Sequence, residues 1–286
     1  MSQQVRLGGF VVHRNNRDTL ERCIRSLQAV CHEVVAVDSG ATDGSRELAQ
    51  ALGARSVTHR WEGYGGARAL AARTLGPCDY IFFLDSDEWL ETEAVERIRA
   101  WKASGSTVQA LKLPVHDWAE LEGGRFLYRR HWRVRLFRRD AAGWTRQMIV
   151  HEGVPGLATR RLHAPIEHRF ATERSLRSAK EDRYALLWAL RAWGERRKTK
   201  PVGLQRLVHV LKDTLIQGAL FRGGMEGVRM AWAVSRYHAA EYAYLKALRA
   251  GAYPELRAAL TEGRYADLFE SPLPLGEGQG EGHASR

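Results

Sequence analysis

Between Val5 and Trp89, continuous apolar runs alternate with stripes at helical spacing. Val5–His13 reads as a first strand. From Arg17 to Cys31 the apolar positions Leu20, Cys23, Ile24, Leu27 and Val30 fall on one helical face, with Asp18 placed as a cap. Glu33–Asp38 is a second short, buried-looking strand. The turn-rich loop Ser39–Ser45 leads from it into a helix over Arg46–Leu52. Arg55–Thr58 is a third strand, followed by a glycine-rich loop over Trp61–Arg68 and an alanine-rich helix to about Leu75. Tyr80–Leu84 shows no polar alternation, as expected of a strand buried on both faces of a parallel sheet. The alternation predicts a doubly wound α/β half with a ligand crevice along the carboxyl ends of its strands.

Glu91–Lys102 has helical spacing, and the pattern then changes. Short alternating runs at Val108–Val115, Arg133–Phe137, Met148–Val150 and Ala158–His163 predict mixed or antiparallel strands that extend the sheet. From Thr172 to about Phe269 the spacing is helical, and Pro201 and Gly223-Gly224 divide it into three long helices. Ser271–Arg286 is low in complexity and is expected to be disordered. Within the helical part, Leu204, Leu207, Leu211, Leu215 and Ala219 form an apolar stripe, widened by Val208 and Leu220. That stripe fits either packing on the first half or resting on an anionic membrane. Arg191, Arg196, Arg197, Lys198 and Lys200 form a basic cluster just before it.

Composition narrows the partners. The 286 residues carry a formal net charge of +11 and 44% hydrophobic residues. A real core is affordable, and the basic surface calls for an anionic partner: nucleic acid, a membrane surface or phosphorylated substrates. Cys23, Cys31 and Cys78 form no CxxC pair, which suits reduced thiols in a cytosolic compartment. The sequence shows no signal-peptide layout, and no apolar run reaches the ~18–20 residues of a membrane span. A cytoplasmic protein, peripheral at most on the inner face of the plasma membrane, is the expectation.

The candidate chemistry collects at the strand ends. Tyr80–Leu84 runs straight into Asp85-Ser86-Asp87-Glu88. In extended chain, Asp85 and Asp87 aim at one point. Two carboxylates there call for a cation, and Mg²⁺ or Mn²⁺ prefers such oxygen ligands. His13 and Asn15, Asp38, Asp43 and Arg68 come from neighbouring strand ends or the glycine-rich loop. Asp38 can accept from a base N–H, and Arg68 can grip base or phosphate oxygens in fork geometry.

Val34-Val35-Ala36-Val37-Asp38-Ser39-Gly40-Ala41-Thr42-Asp43-Gly44-Ser45 and Phe83-Leu84-Asp85-Ser86-Asp87-Glu88 closely resemble the two hallmark segments of family 2 glycosyltransferases, which have the GT-A fold. The closer resemblance is to the lipopolysaccharide core β-glucosyltransferase branch. It rests on Trp61-Glu62-Gly63-Tyr64-Gly65, on Arg135-Leu136-Phe137-Arg138 followed by His151-Glu152 and His168, and on the helical C-terminus with Lys200-Pro201. The chain carries His13-Arg14-Asn15-Asn16 where the family usually has Thr-x-Asn-Glu, and Ala69 where an Asn is common.

The resemblance implies a GT-A catalytic domain over 1–170, a helical region over 171–270 and a tail over 271–286. It implies a metal-dependent, inverting transferase that takes a sugar from a nucleotide-sugar donor, UDP-glucose by this branch. The acceptor would be a lipopolysaccharide-core or other lipid-linked glycan. Asp38 would contact the base and Arg68 the nucleotide. Asp85 would face ribose or metal, and Asp87 would ligate the metal with His168 nearby. Glu152 is the candidate general base, and His151 orients it or holds the acceptor.

Two other classes stay open at this point. A basic nucleic-acid-binding protein with a nucleotide-fold core fits the charge, although no aromatic-basic interleaving appears. A sugar nucleotidyltransferase would carry a glycine- and basic-rich signature where His13-Arg14-Asn15-Asn16 stands.

Overall fold

The computed structural model describes residues 5–105, 107–149, 156–173 and 180–270. Strands β1 (Leu7–His13), β2 (Glu33–Asp38), β3 (Arg55–Thr58) and β4 (Tyr80–Asp85) alternate with helices α1 (Arg17–Gln28), α2 (Ser45–Ala51) and α3 (Tyr64–Thr74). β1 pairs in parallel with β2 on one side and β4 on the other, and β2 pairs in parallel with β3. This is the doubly wound half that the alternation predicts. The order β3-β2-β1-β4 reverses direction at β1, which opens a crevice between the carboxyl ends of β1 and β4.

Burial follows the pleat. Leu7, Val11, Phe82 and Leu84 face a core shared with α1, α2 and α4 (Thr92–Ala103). Phe10, Ile81 and Phe83 face the opposite core with Ala67 and Ala71 of α3 and with Trp144. Two glycines of β1 let two cysteines from the loops after α1 and α3 come close to the strand. A Cβ on Gly9 would stand 2.7 Å from the Cys31 sulfur, and one on Gly8 would stand 3.0 Å from that of Cys78. All three cysteines are free thiols.

Beyond β4 the sheet turns mixed. β5 (Glu88–Leu90) follows after a two-residue turn. β6 (Ala110–Leu121) and β7 (Gly124–Arg138) form one long antiparallel hairpin, and β7 lies antiparallel beside β4. β8 (Thr159–Arg161) and β9 (Ile166–Thr172) pair in parallel with β6, and β9 pairs antiparallel with β5. The separate short runs expected at 108–115 and 133–137 are thus parts of one hairpin. Met148 and Ile149 are irregular instead of a strand, and Val150 lies outside the described residues.

Helices follow: α5 (Lys180–Gly194), α6 (Val202–Leu211), α7 (Ala219–Arg249), α8 (Pro254–Thr261) and α9 (Asp267–Glu270). A short π-helical segment, Lys212–Ile216, continues α6. The break expected at Gly223-Gly224 is present, since Gly224 at φ 54° and ψ −135° is non-helical and kinks α7 into two stretches. A second break, not expected, stands at Gly218, which adopts a left-handed conformation at φ 72°. The tail over 271–286 lies outside the described residues.

These helices are fastened to the sheet. The Tyr128 hydroxyl donates to Asp213 at 2.6 Å, and Arg222 donates to the carbonyls of Leu127 and Tyr128. Phe126 and Tyr128 pack with Ala219, Met230, Ala231 and Val234. At the other end Trp61 meets Phe269, and Tyr64 shares a short hydroxyl hydrogen bond with Tyr184. The apolar stripe on α6 packs differently from the first expectation: Leu204, Leu207, Leu211 and Leu215 are all about half exposed or more, and only Ala219 is buried.

Candidate active site

The register puts the predicted residues in a row. His13 at the end of β1 stands opposite Asp38 at the end of β2, and Val12 stands opposite Asp85 at the end of β4. The ring nitrogens of His13 are buried and meet no hydrogen-bond partner among the described residues. Burial lowers its pKa, outweighing the pull of Asp38 and Asp43, so the ring is held neutral. An orphaned, neutral imidazole in a crevice is a donor or acceptor waiting for a ligand.

The neighbouring loops are pinned by short polar side chains. Asp38 Oδ1 accepts from the N–H groups of Gly40 and Ala41. Asn15, held at φ 54°, accepts from the Thr42 N–H at 2.7 Å and so ties the β1 loop to the β2 loop. Asp43 accepts from Arg17 N–H and from Ser45, which joins the starts of α1 and α2. The observed contacts of Asn15 and Asp43 are therefore to the loops that shape the crevice.

Asp85 sits between two guanidinium groups. Arg68 donates to Oδ1 at 2.9 Å and Arg135 to Oδ2 at 2.7 Å. Both guanidiniums lie over the Phe83 ring, at 4.6 and 4.7 Å from its centroid. Burial would raise the Asp85 pKa, but Arg135 and Arg68 outweigh it and hold the carboxyl well below the usual range. Arg135 also donates to Glu88, which accepts in turn from the Asp85 N–H. The strand ends at Asp85, and Ser86-Asp87 form a turn into β5. Asp85 and Asp87 are therefore aimed by the turn, and extended-strand alternation does not apply to them.

Asp87 faces His168. Its Oδ1 lies 3.6 Å from His168 Nε2, and β5 and β9 are held together there by the Glu88–His168 pairing. The other ring nitrogen, Nδ1, lies 2.7 Å from Oδ1 of Asp117, which is fully buried. Asp117 also accepts from Arg129, and His131 approaches it at 3.8 Å. Burial opposes a charged His168 ring, but Asp87 and Asp117 outweigh it and raise the pKa well above the ordinary value. Burial would also raise Asp117, yet His168 and Arg129 hold it below the carboxylate range.

Among the described residues no three His, Cys, Asp or Glu side chains are grouped to hold a metal ion. Asp87 and His168 supply one oxygen and one nitrogen donor that can contribute to one once the ring gives up its proton. A carboxylate oxygen and an imidazole nitrogen face each other across 3.6 Å, and a buried carboxylate fixes the ring from behind. Metal-binding histidines are commonly oriented in this way. Asp87 is partly open to solvent and can receive further ligands.

The structure thus brings His13, Asp38, Arg68, Asp85, Asp87 and His168 to one edge. Asn15 joins them through the loop that it pins. Glu152 and His151 lie outside the described residues. Asp117 escaped the sequence reading, and Arg135 and Glu88 stood there only as motif residues without a role. The signal for Asp117 was the pairing of the hairpin itself, because β6 places it opposite both Arg129 and His168.

Comparison with known proteins points one way. The family described as Glycosyl transferase family 2 matches residues 10–153. An uncharacterized glycosyltransferase of Rickettsia bellii is 34% identical over 93 residues, covering 32% of this chain and 31% of that protein. The chain therefore spans about a third of the length of these first relatives, as the 31% coverage shows. The lipopolysaccharide core biosynthesis glycosyltransferase LpsC of Rhizobium meliloti is 29% identical over 164 residues, covering 54% of this chain and 58% of LpsC. Among solved structures, glucosyl-3-phosphoglycerate synthase from Mycobacterium tuberculosis with Mn²⁺, UDP and glucosyl-3-phosphoglycerate is 19% identical. It covers 64% of this chain and 78% of that one at a TM-score of 0.37.

Proposed function

The chain belongs to glycosyl transferase family 2, and from that premise we propose that it transfers glucose from UDP-glucose, with inversion, to a lipopolysaccharide-core or other lipid-linked glycan. It is a glycosyltransferase with the GT-A architecture that the sequence led us to expect. The observation that supports the finer reading is the meeting of the His13–Asp38 pair with the Asp87–His168 pair at one sheet edge.

In this reading the His13 ring and Asp38 receive the uracil. Arg68 is drawn from Asp85 toward the donor phosphates, while Arg135 stays on Asp85 and Glu88. Asp85 faces the ribose or the metal. Asp87 and His168 would hold Mg²⁺ or Mn²⁺, which neutralises charge on a leaving diphosphate when bound. Asp117 keeps His168 turned toward that position. Glu152 takes the proton of the acceptor hydroxyl, and His151 orients Glu152 or holds the acceptor. The resemblance to LpsC supports a lipopolysaccharide-type acceptor.

The test is substitution with two readouts. Asp87→Ala should abolish sugar transfer and remove the extra thermal stabilisation that Mn²⁺ adds to UDP, with the circular dichroism spectrum unchanged. Transfer at near wild-type rate would end the metal assignment. Glu152→Gln should keep donor binding and lose turnover. If donor binding is lost as well, Glu152 does more than remove a proton.

A further inference from the structure

The large apolar side chains that stand exposed among the described residues all fall between Leu204 and Trp232, on one helical hairpin. The most exposed are Ile216 at 81%, Phe221 at 79% and Met225 at 76%. They stand at the tip, from the end of the π-helical segment through Gly218 to the kink at Gly224. Leu204, Leu207 and Leu211, spaced three and four apart, continue the apolar face down α6. Soluble proteins seldom leave such a patch uncovered without a partner for it.

The charges beside this face are mostly basic, although Arg197 is paired with Glu195. Arg206 stacks on Trp232 at 3.8 Å and Lys212 is exposed at the tip, while Arg222 is held by the Leu127 and Tyr128 carbonyls. Arg196, Arg197, Lys198 and Lys200 precede α6. The acids between Arg196 and Trp232 are Asp213 and Glu226. Asp213 is buried and accepts from Tyr128, and Glu226 is paired with Arg229. An apolar ridge with cations on its flanks, its acids withdrawn or neutralised, complements an anionic lipid surface. A second copy fits less well, because pairing two such faces would bring like charges together.

We propose that this hairpin docks the enzyme on an anionic lipid bilayer. Ile216, Phe221 and Met225 enter the interface between headgroups and acyl chains. The flanking lysines and arginines lie against the lipid phosphates. The docking deepens the functional reading by stating where a lipid-linked acceptor is met. It stands on the helices alone and needs neither donor nor acceptor.

The experiment is flotation of the full chain with vesicles of phosphatidylethanolamine and phosphatidylglycerol, without nucleotide or sugar. Vesicles of phosphatidylcholine alone serve as the neutral control. The wild type should float with the anionic vesicles and release when salt is raised severalfold. The triple variant Ile216→Glu, Phe221→Glu, Met225→Glu should lose at least about tenfold in partitioning, since an interfacial helix binds in proportion to its buried apolar area. It should keep its thermal midpoint and its shift with UDP, because none of the three touches the crevice. Failure of the wild type to float, or flotation of the triple variant equal to wild type, would overturn the proposal. A wild-type dimer in sedimentation velocity that the triple variant dissolves would assign the face to a second copy and overturn it too. Loss of the UDP shift in Asp87→Ala with flotation intact would separate the two readings.

Discussion

At the scale of single residues, the site is a set of charges that hold one another in place. Asp117 has the greatest leverage for its size, since one buried carboxylate serves His168 and Arg129. Asp117→Asn should weaken Mn²⁺ binding about 10- to 100-fold, as loss of a carboxylate behind a metal histidine commonly does. Titration of Mn²⁺ by calorimetry without sugar checks this, and unchanged affinity would make Asp117 purely structural. His131, beside it, gives the pH dependence. Burial, helped by Arg133 and Arg129, outweighs Asp117 and lowers its pKa to about 4. The unfolded chain takes up that proton from about pH 6.5 downward, and the folded chain does not until about pH 4. The His131 contribution is therefore neutral above pH 6.5, and stability falls as pH drops through this window. His131→Gln should flatten that part of a stability–pH curve, as measured by urea unfolding. An identical curve would remove His131 from the account.

At the scale of elements, what was legible followed the period of the pattern. The βα alternation to Asp85 could be read because β1, β2 and β4 are buried on both faces and α1 shows one stripe. The hairpin of β6 and β7 could not. Its inward positions carry Asp117, and its neighbours on β7 are arginines and histidines, so charge hides the two-residue period. Bulges at Leu111/Lys112 and Asp117/Trp118 then shift that period by one. β9 was missed for a related reason, since the charged Glu167, His168 and Arg169 show no strand pattern until β6 supplies partners. Asp85 and Asp87 were found from their acidity and their place after a buried strand. Their actual aim depends on a turn and on two arginines from distant elements. The glycine-rich loop shows what close packing demands of an element. A Cβ on Gly65 would lie 2.2 Å from the Thr145 carbonyl oxygen and 2.6 Å from that of Met148. Backbone cannot yield as a side-chain tip can. Gly65→Ala should therefore destabilise by about 1–3 kcal/mol, with thermal melting as the check. An unchanged midpoint would mean that the start of α3 is loosely held.

At the scale of the whole molecule, the helical region grips the sheet in two places. One is the glycine-rich loop, where Phe269 meets Trp61 and crowds Gly63. That contact links the last described helix to the start of α3, the helix that carries Arg68, so the expected glycine-rich loop is helical from Tyr64 on. Phe269→Ala should lower stability by about 1–3 kcal/mol through lost apolar burial and should weaken UDP binding. Calorimetry with UDP tests the second part, and a stability loss with wild-type UDP affinity would confine Phe269 to packing.

The other grip is the bond of Tyr128 to Asp213 together with the hold of Arg222 on the Leu127 and Tyr128 carbonyls. Tyr128 and Arg135 belong to the same strand, β7. Seven residues apart at ~3.4 Å each, they are at most roughly 24 Å from one another. The strand works as a strut of set length between the foot of the helical hairpin and the arginine under Asp85. Whatever the hairpin stands on, that strut sets how far Asp85 and the crevice beside it lie from the same support.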